Sequence, residues 1–197
     1  MIDLSQFIPF DKVNAAILGA AVVERTLSQL RGVFADSDAY ERALLEQGDP
    51  LVYSVASVEL ATGDGDLHYG IGRIMPGRVG QEYFLTRGHF HQWRPAAEIY
   101  IGLTGAGRML LEHEQTHHAY SVDLLPDGVV YVPGYTAHRT INVGDTPLTY
   151  LGIYPARAGH DYGALVDRNF AQVVINVDGK PCVVQRKQFL ADLAVIR

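Results

Sequence analysis

Residues 98–114 read "EIYIGLTGAGRMLLEHE". Two short apolar runs flank Thr104-Gly105-Ala106-Gly107. The first is rich in β-branched and aromatic residues, and neither is long enough for an amphipathic helical stripe, so the stretch reads as strand, turn, strand. The glycines open no helix, which argues for a hairpin turn rather than a phosphate cradle. The same pattern continues in both directions. Upstream, "LVYSVASVEL" precedes "TGDGD", "HYGIGRIM" precedes "PGRVG", and "EYFLT" follows. Downstream come "AYSVDLL", "VVYVP", "HRTINVG" and "LTYLGIYP". Short strands punctuated by turn residues every roughly eight to twelve positions indicate a sandwich or barrel. A last run, "VVINVDGKPCVVQ", predicts a hairpin whose Asp178-Gly179 pair suits a type I′ turn.

The first 50 residues follow a different pattern. In "VVERTLSQLRG", Val22, Val23, Leu27 and Leu30 fall near helical spacing and Gly32 is a stop signal. In "DSDAYERALLEQGDP", cap-type residues lead, Tyr40, Ala43 and Leu44 share a face, and Gly48 and Pro50 end the run. The expectation is a helical extension over residues 1–50 packed on a β domain over 51–197, one domain overall. A chain of 197 residues can bury a core of its own. The formal net charge is −6 and no run of Lys or Arg exists, which argues against nucleic acid and anionic membranes as partners. Cys182 is the only cysteine, so no intrachain disulfide is expected, in keeping with a reducing cytoplasm. "MIDLSQFIPFDK" lacks the basic-then-apolar order of a signal peptide, and "AAILGAAVV" is too short to span a bilayer.

Chemistry concentrates in "GHFHQWRPAAEIY", residues 88–100. On a strand, residues i and i+2 share a face, so His89 and His91 project together and Phe90 points away. Glu98 lies past Pro95, on the next apolar run, and a returning strand brings it beside the pair. A His-x-His pair alone is better explained as solvated or satisfied within the core. The carboxylate brings a metal reading level with that, and His138, in "VVYVPGYTAHRTINVG", moves it ahead. Three imidazoles and one carboxylate suit a first-row divalent ion and leave two positions of a six-coordinate ion for substrate oxygens. His113, His117 and His118 flank an exposed hairpin and are expected to be solvated, and His68 to sit at a strand edge. Most of the eleven tyrosines are packing residues, among them Tyr83, Tyr131 and Tyr150. Arg139 should point off the metal face into a structural ion pair.

These residues resemble the cupin-type glucose-6-phosphate isomerases. The first cupin motif matches "GHFHQWRPAAEIYIGLTGAG", with six residues between His91 and Glu98 where cupins in general keep three or four. The second matches "PGYTAHRTIN", its Gly one place early. "GDPLVYSV", "PGRVGQEYFLTRGHFH", "YVPGYTAHRTINVGDTPL" and "YPARAGHDYG" follow the family's blocks in order. The resemblance implies a mainly β, single-domain cupin fold (a jelly-roll β-barrel) with N-terminal helices. It also implies a homodimer, and a cytoplasmic enzyme of glycolysis or gluconeogenesis that interconverts glucose 6-phosphate and fructose 6-phosphate. His89, His91, Glu98 and His138 would hold one divalent ion per subunit, Fe2+ first, with Mn2+, Ni2+, Co2+ and Zn2+ as alternatives. Contacts to the sugar phosphate would come from Tyr53, Thr86, Arg87, Gly88, Tyr100, His160 and Tyr162. Two departures bear on the phosphate. Arg87 stands where the family often has Lys, and Arg forks to phosphate differently. Gly72 stands where some members carry a hydroxyl, so one contact is expected to be missing.

Aldose–ketose isomerisation needs charge stabilisation at O1 and O2 and a group that moves hydrogen between C1 and C2. Glu98 is the catalytic candidate, as a base or with the hydrogen moving directly between the carbons. The same ligand set would serve a mannose-6-phosphate isomerase or a non-haem iron oxygenase. A sugar-binding cupin without catalysis ranks lower, because all four ligands are present.

Overall fold

The computed structural model describes residues 7–196. Its strands are β1 (Phe10–Asp11), β2 (Ala16–Ile17), β3 (Ala21–Thr26), β4 (Leu51–Val58), β5 (Leu67–Ile74), β6 (Arg78–Val79), β7 (Glu82–Tyr83), β8 (Glu98–Thr104), β9 (Gly107–His113), β10 (Ala119–Leu124), β11 (Val129–Val132), β12 (Thr136–Asn142), β13 (Leu148–Pro155), β14 (Gln172–Val177) and β15 (Lys180–Gln185). The helices are α1 (Ser37–Gln47) and α2 (Arg186–Ile196), with 3-10 turns at Leu27–Leu30 and Gly163–Leu165. Among the described residues no helix is long and apolar enough to cross a membrane.

Two sheets form the expected mainly β, cupin-type frame. One has six strands in the order β11-β8-β13-β5-β4-β3, and the other three in the order β10-β9-β12. Alternation turns one face of each inward. Ile74, Tyr100 and Leu148 from the first sheet meet Met109, Leu111, Leu124 and Ile141 from the second in one buried cluster. The Gly105 turn therefore is not the hairpin expected of it, since β8 and β9 lie in different sheets and the turn hands the chain from one to the other. The His113–His118 segment is a hairpin between β9 and β10, paired from Glu112 and Ala119 outward. The last hairpin also forms, β14 with β15, with Asp178 and Gly179 both at positive φ.

The N-terminal expectation needs correction. Residues 21–26 form β3 at the edge of the large sheet, paired antiparallel with β4. β-branched Val22, Val23 and Thr26 favour the strand once β4 offers an unpaired edge, which outweighs an apolar spacing that also fits a helix. Leu27 and Leu30, both fully buried, follow in a 3-10 turn. β1 and β2 form a small ladder, and Ala15 and Ile17 pack on Ala56, Val58 and Ile71 of the large sheet. Of the expected helical content over residues 1–50, α1 is the part present, and residues 1–6 lie outside the described residues. Asp36 caps α1 by accepting from the Ala39 N–H at 2.9 Å, and Gly48 follows its last turn at φ 72°. α2, which the sequence reading did not anticipate, places Phe189 against Val173 and Ile175 of β14.

Candidate active site

Residues 85–91 run beside β12. Bridges join Leu85 to Ile141 and His89 to His138. The His89 N–H donates to the His138 carbonyl at 3.2 Å, and the His138 N–H returns to that of His89 at 3.0 Å. Two histidines 49 positions apart in sequence thus become direct ladder neighbours, their ring centroids 4.3 Å apart. Gly88 makes the turn into this ladder at φ +75°, and a Cβ there would sit 2.6 Å from the Phe170 ring and 3.1 Å from the Arg139 Cβ. Past His91 the chain loops through Trp93 to Ala96 and enters β8 at Glu98. The Ala96 carbonyl lies 3.0 Å from His91 Nδ1, so the loop that sets the long step to Glu98 also orients His91.

The ligand atoms of His89, His91, Glu98 and His138 all lie within 4.8 Å of one another. His91 Nδ1 and His138 Nδ1 face the carbonyls of Ala96 and Thr136, which assigns them as N–H donors and leaves each Nε2 with its lone pair free. Those Nε2 atoms stand 3.2 and 3.1 Å from Glu98 Oε2. That of His138 is close but out of hydrogen-bond alignment. Among the described residues, His89 Nε2 and His138 Nε2 are buried without a hydrogen-bond partner. Unsatisfied imidazole nitrogens converging on a buried carboxylate are what a divalent cation requires. The electrostatics agree. Burial alone would raise the Glu98 carboxyl, and the imidazoles of His138 and His91, wherever they donate a proton to it in place of a metal, outweigh burial and lower it. Burial, then the neighbouring imidazoles, keeps His89 well below its ordinary value and so in the neutral form that binds metals. Burial and Glu98 push the Tyr100 phenol well up, leaving a protonated hydroxyl beside the carboxylate.

A cavity of about 300 Å³ opens against this cluster, at the lower limit of ordinary small-ligand sites. All the site residues named from sequence line it except His91, whose ligand nitrogen still lies within the cluster. Tyr53 and Tyr100 are buried in its wall, while Arg87 and Tyr162 are exposed. The His160 ring stands edge-on to that of His89 with centroids 4.4 Å apart, and Thr86 is tied to Thr140 by its backbone N–H at 2.9 Å and its hydroxyl at 3.0 Å. Positive charge gathers on the Tyr53 and Tyr162 side, where Arg25 and Arg87 act on both phenols, the Arg87 guanidinium lies 5.5 Å over the Tyr162 ring, and the Arg87 backbone N–H hydrogen-bonds to the Tyr53 hydroxyl.

Several wall residues went unrecognised in sequence. Arg25 was hidden by the helical reading of β3. Ser57 and Glu59 follow from Tyr53 by strand alternation, as Gly152 and Tyr154 follow from Tyr150. Gly152 faces Glu98, and a Cβ there would lie 2.9 Å from Oε1. Tyr150, assigned to packing, also lines the cavity. Tyr83 is buried and accepts from Asn176 Nδ2 at 2.6 Å, whereas Tyr131 is exposed. Arg139 departs from expectation. Among the described residues it has no ion pair, and instead donates to the Arg87 carbonyl at 2.7 Å with its guanidinium 4.5 Å over the Phe170 ring. His117 and His118 are exposed and His113 is half-buried. His68 is buried, tied to the Ala61 carbonyl at 2.7 Å, rather than lying at an open edge.

Two facing sheets with a His-x-His, Glu and His cluster between them, beside a cavity with an arginine-lined side, define a cupin-type protein with a metal-compatible ligand set. The sequence profile of the family described as "Glucose-6-phosphate isomerase (GPI)" matches residues 24–191. The chain is 43% identical over 179 residues to the glucose-6-phosphate isomerase of Pyrococcus horikoshii, covering 91% of this chain and 94% of that one. It is 43% identical to that of Thermococcus kodakarensis, covering 91% and 93%, and 42% identical to that of Pyrococcus furiosus, covering 91% and 94%. The chain belongs to the glucose-6-phosphate isomerase family, in its cupin-type branch.

Proposed function

We propose that this chain interconverts glucose 6-phosphate and fructose 6-phosphate. The supporting observation is that one cavity opens against the four-residue ligand cluster and is lined by two arginines. His89, His91, Glu98 and His138 would hold one divalent ion per subunit, Fe2+ first. When bound, it supplies Lewis-acid stabilisation of negative charge at the sugar O1 and O2. Arg87, Thr86, the Gly88 N–H, His160 and the hydroxyls of Tyr53 and Tyr162 hold the phosphate, and Tyr100 steadies Glu98. From aldose to ketose, the hydrogen on C2 passes to C1 while the O2 hydroxyl proton passes to O1. Glu98 takes the C2 proton and returns it to C1. A carboxylate bound to a cation is a weaker base, because the cation favours its ionised form, and that argument favours a second reading in which the hydrogen moves directly from C2 to C1.

A coupled assay on fructose 6-phosphate, with chelation and metal add-back, tests the activity, and absence of turnover with iron, manganese, nickel, cobalt and zinc alike refutes it. Mannose 6-phosphate run alongside sets the range at C2, and an oxygen electrode tests the oxygenase alternative. Glu98→Gln should lower kcat by roughly 10²–10⁴-fold if Glu98 moves the proton. Near wild-type turnover, with no solvent deuterium in the product, would assign Glu98 to ligation alone. We also place the enzyme in the cytoplasm as a homodimer. Leu18 and Val22, 78% and 60% exposed, are apolar surface that a second copy would cover, and light scattering measures the mass.

A further inference from the structure

Tyr150 faces a glycine on each neighbouring strand. β13 pairs it with Gly72 of β5 on one side and Gly102 of β8 on the other. Gly72 is not among the positive-φ glycines, so backbone conformation does not require it. Space does. A Cβ on Gly72 would lie 2.3 Å from Tyr150 Cζ and 2.5 Å from its hydroxyl oxygen. The phenol end of Tyr150 therefore occupies the volume that a side chain at 72 would fill, in the wall of the cavity.

Lying over Gly72, the hydroxyl reaches from β13 across β5 towards β4 and β3, the strands that carry Tyr53 and Arg25. Its ring is 5.3 Å from that of Tyr100, one pleat along β13 from Gly152, the residue that faces Glu98. The Thr140 side chain neighbours its hydroxyl, which also lies within electrostatic reach of Tyr53, Glu98 and Tyr162, two of them the phenols flanked by Arg25 and Arg87. Thr140 is in turn fixed to Thr86. A hydroxyl has one proton to give and two lone pairs, so the Tyr150 oxygen can accept from a neighbour such as Thr140 and still donate its own proton to a further partner. Burial raises this phenol well above its ordinary value, so the proton is present at any working pH.

We propose that the Tyr150 hydroxyl donates a hydrogen bond to the phosphate of the bound sugar phosphate, and that Gly72 is the vacancy that admits it. On this view the chain lacks a side-chain contact at position 72 but supplies one from the strand opposite. The assignment of the partner as a phosphate rests on the activity proposed above.

Tyr150→Phe keeps the ring over Gly72 and removes only the hydroxyl. The KM for fructose 6-phosphate should rise about tenfold while kcat stays within about twofold of wild type. Inorganic phosphate, titrated calorimetrically into the metal-loaded protein, should weaken by a similar factor. Unchanged KM and phosphate affinity would overturn the proposal, as would a fall in kcat at constant KM. A raised KM with unchanged phosphate affinity would also overturn it, by assigning the hydroxyl to the sugar. A second pair tests the coupling. Tyr150→Leu should show the same loss, and adding Gly72→Ser, whose hydroxyl would lie near the vacated position, should recover phosphate affinity. No recovery in a double variant that melts like wild type would refute the coupling. Turnover by the wild type tests the activity itself, while phosphate affinity tests the hydroxyl, so the two can fail separately.

Discussion

At the scale of single residues, the site depends on what is missing as much as on what is present. Gly88 sits at φ +75° with Phe170 pressed against it. Gly88→Ala meets both a left-handed backbone and a steric wall, and should cost about 1–3 kcal/mol, read as a lower melting temperature. It should also reduce metal content after loading, because His89 is the next residue. The four ligands were legible in the sequence because few residue types bind first-row metals and their spacing limits the arrangements. Arg25 and Tyr150 were not. An arginine on an exposed edge and a tyrosine in a β-rich chain look alike whether they face a ligand or a neighbour, and only the strand register separates the two.

At the scale of elements, one side chain joins the site's loops. Arg94 donates to Glu114 Oε1 at 2.8 Å, to Asp161 Oδ2 at 2.7 Å and to the His91 carbonyl at 2.5 Å. It thereby ties the His91 loop to the segment carrying His160. The hydrogen bond from Arg94 holds the Asp161 carboxyl below its ordinary 3.8. A carboxyl depressed in the folded state stabilises above its unfolded value, and that contribution disappears as pH falls through the folded one. Arg94→Gln should therefore cost about 1 kcal/mol at neutral pH, after allowing for solvent screening. The gap from wild type should close below the ordinary carboxylate range, as melts at several pH values would show. A gap independent of pH would place Arg94's contribution elsewhere, such as its 4.9 Å contact with the Phe90 ring. The same scale explains the error over residues 21–26. The spacing of Val22, Val23 and Leu27 fits two periodicities, and the choice is made by the open edge of β4, which sequence does not display.

At the scale of the whole molecule, the ligands arrive from separate parts of the chain: His89 and His91 from the run beside β12, Glu98 from β8 and His138 from β12 itself. The unfolded chain cannot assemble them, so metal binds the folded state and stabilises it. Saturation at a hundred times the dissociation constant should add about 2.7 kcal/mol, seen as a higher melting temperature that chelation reverses. The strands from Leu51 onward were legible because side-chain alternation and turn residues recur along that part of the chain. The sheet that each strand joins was not, as the Gly105 turn illustrates. It resembles any glycine hairpin, yet its strands part into opposite walls.

The short run from Arg87 to His89 has a further consequence. One residue, Gly88, separates an arginine from a metal-ligand histidine, and its left-handed turn at φ +75° fixes how the two side chains leave the backbone. A ligand that satisfies both must carry its anionic group and its reacting oxygens at a fixed spacing. On the proposed activity, a sugar phosphate one carbon shorter should therefore bind more weakly, because it would reach one end only by releasing the other.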